Sequence, residues 1–172
     1  MTILGKICAN KIVDLHLSAV PEDYFLETKD MVEALRQNTS IVSVRFDKEF
    51  ISCVYGRERG DLLDQLAELP NLKELFLGDA GLMVEVITKL VGKAKSLRKL
   101  TLSGLVMQGI ESDFNTLETA LHGHASLKEF EMEECIASND DIDIAKLIQA
   151  GKNFRSTNIG DPVHAKKGAI AA

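Results

Sequence analysis

The stretch Leu97-Arg98-Lys99-Leu100-Thr101-Leu102 sets aliphatic side chains at its first, fourth and sixth positions. The same frame recurs at residues 12–17 (Ile12, Leu15, Leu17), 41–46 (Ile41, Val44, Phe46) and 72–77 (Leu72, Leu75, Leu77). It returns at 127–132 (Leu127, Phe130, Met132) and, in weaker form, at 154–159 (Phe154, Thr157, Ile159). Successive frames start 25 to 31 residues apart. An interval of that length leaves room for a helix on the return path. The segments between have helical spacing: Leu62, Leu63, Leu66 and Leu69 follow the second frame, and Val86, Ile87, Leu90 and Val91 follow the third.

Short strands alternating with helices predict an α/β chain whose strands run parallel, joined by helical crossovers. Strands stack about 4.8 Å apart, whereas helices pack about 8–10 Å apart. Units built this way fan out on the helix side. The expectation is a repeat solenoid, a short horseshoe with a concave parallel sheet of about six strands and convex α-helices. Five strand steps make that sheet about 24 Å wide, enough for one small surface or a peptide.

The expected helices cover residues 21–38, 59–69, 82–95, 111–122 and 141–150, the last opened by Ser138-Asn139-Asp140-Asp141 as a capping box. Residues 1–11, with Ile3, Leu4 and Ile7, read as a cap over the apolar end that a first repeat exposes. The repeat domain then spans 1–160, and 161–172 read as a loose C-terminal tail.

Composition narrows the function classes. The 172 residues suit one domain. Twenty basic against 26 acidic residues give a net charge of −6, which argues against non-specific nucleic-acid binding. No apolar run approaches the roughly 18 residues that span a bilayer, so membrane insertion is not expected. The first residues lack the pattern of a secretion signal. Cys8, Cys53 and Cys135 are too few and too irregular for a disulfide framework; they read as small core residues. A cytoplasmic or nuclear location follows, with an organellar address left open.

Two units, Leu69-Pro70-Asn71-Leu72-Lys73-Glu74-Leu75-x-Leu77 and Ala34-Leu35-x-x-Asn38-Thr39-Ser40-Ile41-x-x-Val44, carry a family likeness. The chain resembles the ribonuclease-inhibitor-like class of leucine-rich repeats over residues 12–160. That class includes Ran GTPase-activating protein, tropomodulin and the sensor arms of NOD-like receptors. The resemblance implies a protein ligand bound on the concave sheet and its rim. The chain departs from the class three residues past each frame, where an Asn or Cys is usual. Only Cys135 matches; Val20, Glu49, Ala80 and Leu105 hold the other places.

If positions one, four and six face the core, strand alternation puts positions three, five and seven on the concave face. Position five reads His16, Arg45, Phe76, Thr101, Glu131 and Asn158. Position three reads Asp14, Ser43, Glu74, Lys99, Glu129 and Ser156, and position seven Ser18, Asp47, Gly78, Ser103, Glu133 and Gly160. Phe76 is an aromatic side chain expected outward at mid-sheet beside Arg45, and aromatic and arginine residues dominate binding hot spots. The bland reading is that a loop half covers it. Charge is also segregated. Residues 86–110 carry Lys89, Lys93, Lys95, Arg98 and Lys99 without an acid, whereas 129–145 carry seven acids without Lys or Arg. Such blocks steer a complementary partner, or simply attract each other across repeat junctions.

Chemistry-bearing motifs are scarce. His122-Gly123-His124 with Glu118 has part of a metal-ligand set, but Gly123 suits a helix end. Asp140, Asp141 and Asp143 lack the glycine and terminal glutamate of a calcium loop. No phosphate loop, nucleophile elbow or paired-cysteine zinc spacing occurs, so no catalytic residue, metal or cofactor is expected. The leading expectation is a non-enzymatic interaction or scaffold module, with His16, Arg45, Phe76, Lys99, Thr101, Glu129 and Glu131 as partner-binding residues. The alternatives are a structural subunit that self-associates end to end, and a GTPase activator using Arg57 or Arg59, the latter suggested by the resemblance alone.

Overall fold

A computed structural model describes residues 2–18, 28–47, 50, 54, 56–78, 81–139, 142 and 144–149. The chain begins with α1 (Ile3–Cys8), β1 (Asp14–Leu17), α2 (Thr28–Arg36) and β2 (Ser43–Phe46). It continues through α3 (Gly56–Ala67), β3 (Glu74–Gly78), β4 (Gly81–Met83) and α4 (Val84–Lys93). Then come β5 (Lys99–Ser103), β6 (Val106–Gln108), α5 (Glu111–His122), β7 (Glu129–Glu133) and β8 (Ile136–Ala137). Residues 145–149 are helical.

Each of the first five frames forms a strand, and these pair in parallel in the order β1-β2-β3-β5-β7. Register never slips: Leu15, Val44, Leu75, Leu100 and Phe130 are successive partners. The side-chain period of two is what holds it, because a one-residue shift would turn every core residue outward. Position four is buried in all five strands, and so are Phe46, Leu77 and Leu102 at position six. Burying each such side chain contributes about 1.5–3 kcal/mol.

The helices close the other side of this core in chain order, each packed against the next. Val84, Ile87, Leu90 and Val91 of α4 are buried, as are Phe114, Leu117 and Leu121 of α5, in the spacing of an amphipathic helix. At the front, Thr2 Oγ1 accepts from Gly5 N at 3.1 Å and so caps α1. Ile7 of that helix is fully buried, whereas Cys8 is exposed rather than a core residue. Its neighbour Ile7 takes the inward place on α1, and a helix of six residues has only one such face.

The structure differs from the sequence expectation in a second sheet. β4, β6 and β8 pair in parallel to form it. The helix expected from residue 82 therefore starts at Val84, because Leu82 is the buried middle residue of β4. Met107 is its partner in β6 and is fully buried. The helix expected over 59–69 runs from Gly56 to Ala67. Five strands of the larger sheet are described; the sixth frame at 154–159, Cys53, the segment 161–172 and residues 140 and 141 of the expected capping box lie outside the described residues. Among the described residues no helix is long and apolar enough to cross a membrane.

Candidate functional site

The outward face of the five-stranded sheet carries the side chains at odd frame positions. His16, Arg45, Phe76, Thr101 and Glu131 form one continuous row of register partners. Lys99 and Glu129 are neighbours in the adjacent row. The seven residues expected to meet a partner are thus brought onto one face, but their exposures differ.

At the amino-terminal end, four side chains are tied together. Asp47, at the residue after β2, accepts at Oδ2 from His16 Nε2 at 2.7 Å, and its Oδ1 forms an ion pair with Arg45 Nε at 2.8 Å. The Arg45 guanidinium lies 3.6 Å above the centroid of the Phe76 ring. Phe76 is half-buried, and the Arg45 guanidinium covers one face of its ring. A cation over an aromatic face contributes about 0.5–1 kcal/mol at an exposed site. Asp47 adds the orientation, since one carboxylate holds both His16 and Arg45.

At the carboxy-terminal end the pattern is ionic. Lys99 Nζ lies 3.1 Å from Glu129 and 3.5 Å from Glu131. Partial burial works against its charge, yet the hydrogen bond to Glu129 and the fields of Glu131 and Glu129 hold its pKa above the ordinary lysine value. Thr101 is the exception to the expectation. It is 7% exposed, and its hydroxyl donates to Glu131 at 3.3 Å. A short side chain between Phe76 and Glu131 is covered by its longer neighbours, so Thr101 shapes the floor instead of presenting a contact.

The two charge blocks are partly matched within the chain. Lys99 pairs forward with the acidic block, while Lys89 pairs backward with Asp64, and Lys93 with Asp64 and Glu68, linking α4 to α3. Arg59, a candidate for phosphate chemistry, donates to the carbonyls of Val54 and Gly81 at 2.7 and 2.5 Å. Arg57 is almost fully exposed, 4.0 Å from Asp61. Of the histidine pair, His122 lies 3.9 Å from Glu118 on α5. His124 points elsewhere: Nε2 donates to Ala94 O at 3.0 Å, and Nδ1 accepts from Ser126 N and Leu127 N at 3.3 and 3.0 Å. Burial lowers its pKa, as does nearby Lys95, against the opposing bond to Ala94. The Cys135 thiol donates to Leu102 O, one repeat back, at 3.4 Å. Among the described residues no three His, Cys, Asp or Glu side chains could hold a metal ion.

No family model matches the chain, and no curated protein does. The solved structures do offer a relative in shape. The fold is similar to that of the tropomodulin C-terminal domain of Caenorhabditis elegans. That match has a TM-score of 0.64 at 10% identity, over 90% of this chain and 92% of the other. The architecture is thus leucine-rich-repeat-like, as periodicity and register already required.

Two sets of polar residues have roles that the aliphatic frame does not announce. Alternation puts Asp47 outward but carries no signal for its part as the hub for His16 and Arg45. The residue just before each frame from the second to the fifth is Ser40, Asn71, Ser96 or Ser126. Each donates its side chain to a backbone carbonyl of the previous repeat: Ile12, Thr39, Pro70 and Lys95 respectively. The signal was a polar residue recurring at one frame position.

Proposed function

We propose that this chain is a non-enzymatic protein-interaction module that binds its partner on the outward face of the five-stranded sheet. The observation that carries the reading is the His16–Asp47–Arg45–Phe76 network. An aromatic ring and a guanidinium, held ready by a shared carboxylate, incur less ordering cost when a partner arrives. The pair has the residue types that dominate binding hot spots. Glu129 and Glu131, already engaged by Lys99, form an acidic rim that orients a partner of matching charge. The likeness in fold to the tropomodulin C-terminal domain is consistent with an interaction role.

The test is capture from the native source with three baits: the wild-type chain, Phe76→Ala, and Arg57→Glu as a control on an exposed helical residue. The expected result is a protein retained by wild type and the control but lost from Phe76→Ala by about tenfold or more, the effect of truncating a hot spot. Equal retention by all three baits overturns the reading.

A further inference from the structure

Position two of the frame should follow positions four and six into the core by strict alternation, yet it does not. The amides of positions two and three converge on one carbonyl of the preceding strand, as Lys73 N and Glu74 N do on Val42 O at 2.8 and 3.1 Å. That two-to-one step is bulge-like and turns the second side chain out to solvent. The bonds also chain the second positions directly together. Val42 N reaches Val13 O, Lys73 N reaches Val42 O, Arg98 N reaches Lys73 O and Lys128 N reaches Arg98 O, at 2.7 to 2.8 Å. The result is a strip along the amino-terminal rim of the strands: Val13, Val42, Lys73, Arg98, Lys128.

The strip has two halves. Val13 is 52% exposed and Val42 half-buried, an aliphatic end open to solvent. Lys73, Arg98 and Lys128 are exposed, and none makes a side-chain ion pair among the described residues. Three like charges on neighbouring strands, about 4.8 Å apart, repel one another. The adjacent row behaves differently, since Glu74, Lys99 and Glu129 alternate in sign and Lys99 closes on Glu129. Position two thus carries three charges of one sign on consecutive strands, with no ion pair among the described residues to offset them.

We infer that this rim binds an extended acidic peptide segment carrying an aliphatic residue at one end. This surface lies beside the sheet face assigned above and does not depend on it. Four strand steps span about 19 Å, the length of about six residues of extended chain at 3.3 Å each. Acids at alternate residues of that chain recur about every 6.6 Å on one side, so two or three cover the cationic half while the aliphatic side chain covers Val13 and Val42. A broad polyanion is disfavoured, because Asp47, Glu131 and Glu133 on the sheet repel whatever extends inward from the rim.

The test uses fluorescence anisotropy at low salt with the full chain. The probe is a labelled peptide of about seven residues, one leucine followed by glutamates at alternate places, sized to the strip. Binding is expected to weaken at least about tenfold in Lys73→Glu/Arg98→Glu/Lys128→Glu and about threefold in the milder Arg98→Gln. Replacing the probe's glutamates by glutamine should match the triple variant, and Phe76→Ala should leave binding unchanged. Wild-type affinity in the triple variant, equal binding of the glutamine probe, or no saturation below about 1 mM overturns the inference. Tighter binding of single-stranded DNA of equal charge does so too, by naming a different partner class.

Discussion

Before the second frame, Asn38 closes the junction between repeats; before the fifth, His124 closes another with the same bonds. Each stands three residues ahead of its frame. Asn38 Oδ1 accepts from Ser40 N and Ile41 N at 3.0 and 2.9 Å, and Nδ2 donates to Ile7 O at 2.7 Å. His124 Nδ1 accepts from Ser126 N and Leu127 N, and Nε2 donates to Ala94 O. The third and fourth frames have Leu69 and Ala94 at that position, and there the backbone carbonyl takes the frame's first amide, from Leu72 at 3.5 Å and Leu97 at 3.0 Å. An amide or imidazole thus replaces the carbonyl and adds a strut to the previous repeat. The two struts differ in one respect: imidazole titrates and the amide does not.

The largest effect expected from this is on Asn38, which is 2% exposed. Asn38→Ala orphans two amides at a buried junction, each costing about 1–3 kcal/mol where water does not reach it, and removes the strut to Ile7 O, which keeps its bond from Asn10 N. A net loss of about 2–4 kcal/mol should appear as a lower urea midpoint. A loss no greater than that of an exposed variant such as Arg57→Ala would break the analogy between the junctions.

The next effect is on pH dependence. Unfolded, His124 takes its proton near the ordinary value of 6.5; folded, burial holds its pKa lower. Between those two values the unfolded state binds more protons, so stability is complete above about pH 6.5 and declines as pH falls through that window. His124→Asn should flatten this decline in urea titrations between pH 7 and the acid limb, because the amide makes the same bonds without a charge. An unchanged decline would mean that another group carries it.

How much of this was legible follows from the kind of order involved. Frame and register could be read because burial of Leu15, Val44, Leu75, Leu100 and Phe130 repeats with a period that only parallel strands satisfy. The second sheet could not, because Gly81–Met83 offers one buried residue, and an aliphatic at Leu82 fits the start of a helix as well as a strand. Strand alternation fixes which row of the sheet each candidate occupies. Their exposure was not legible. Whether Thr101 is covered depends on the reach of Phe76 and Glu131 from other strands, and whether Arg45 lies on Phe76 depends on the rotamer that Asp47 selects. The polar struts at Asn38 and His124 were hidden differently: at a turn, such residues have many local uses, and only the distance to Ile7 and Ala94 tells them apart.

The smallest effect separates the fourth and fifth repeats at a turn they share. Gly104 and Glu134 each stand seven residues after the start of their frame, where the chain leaves the larger sheet for the smaller one. Both adopt a positive φ, 65° and 54°. Glycine accepts that conformation freely, whereas a side chain there costs about 1–2 kcal/mol. Glu134→Gly should therefore relieve strain, less about 0.5–1 kcal/mol for glycine's greater freedom when unfolded. The net is a gain of about 0.5–1 kcal/mol, a rise of a degree or more in thermal midpoint for a chain of this size. Gly104→Ala should shift the midpoint the other way. If both substitutions lower it, the Glu134 side chain is held by interactions that outweigh the strain, and the two turns are equivalent in backbone alone.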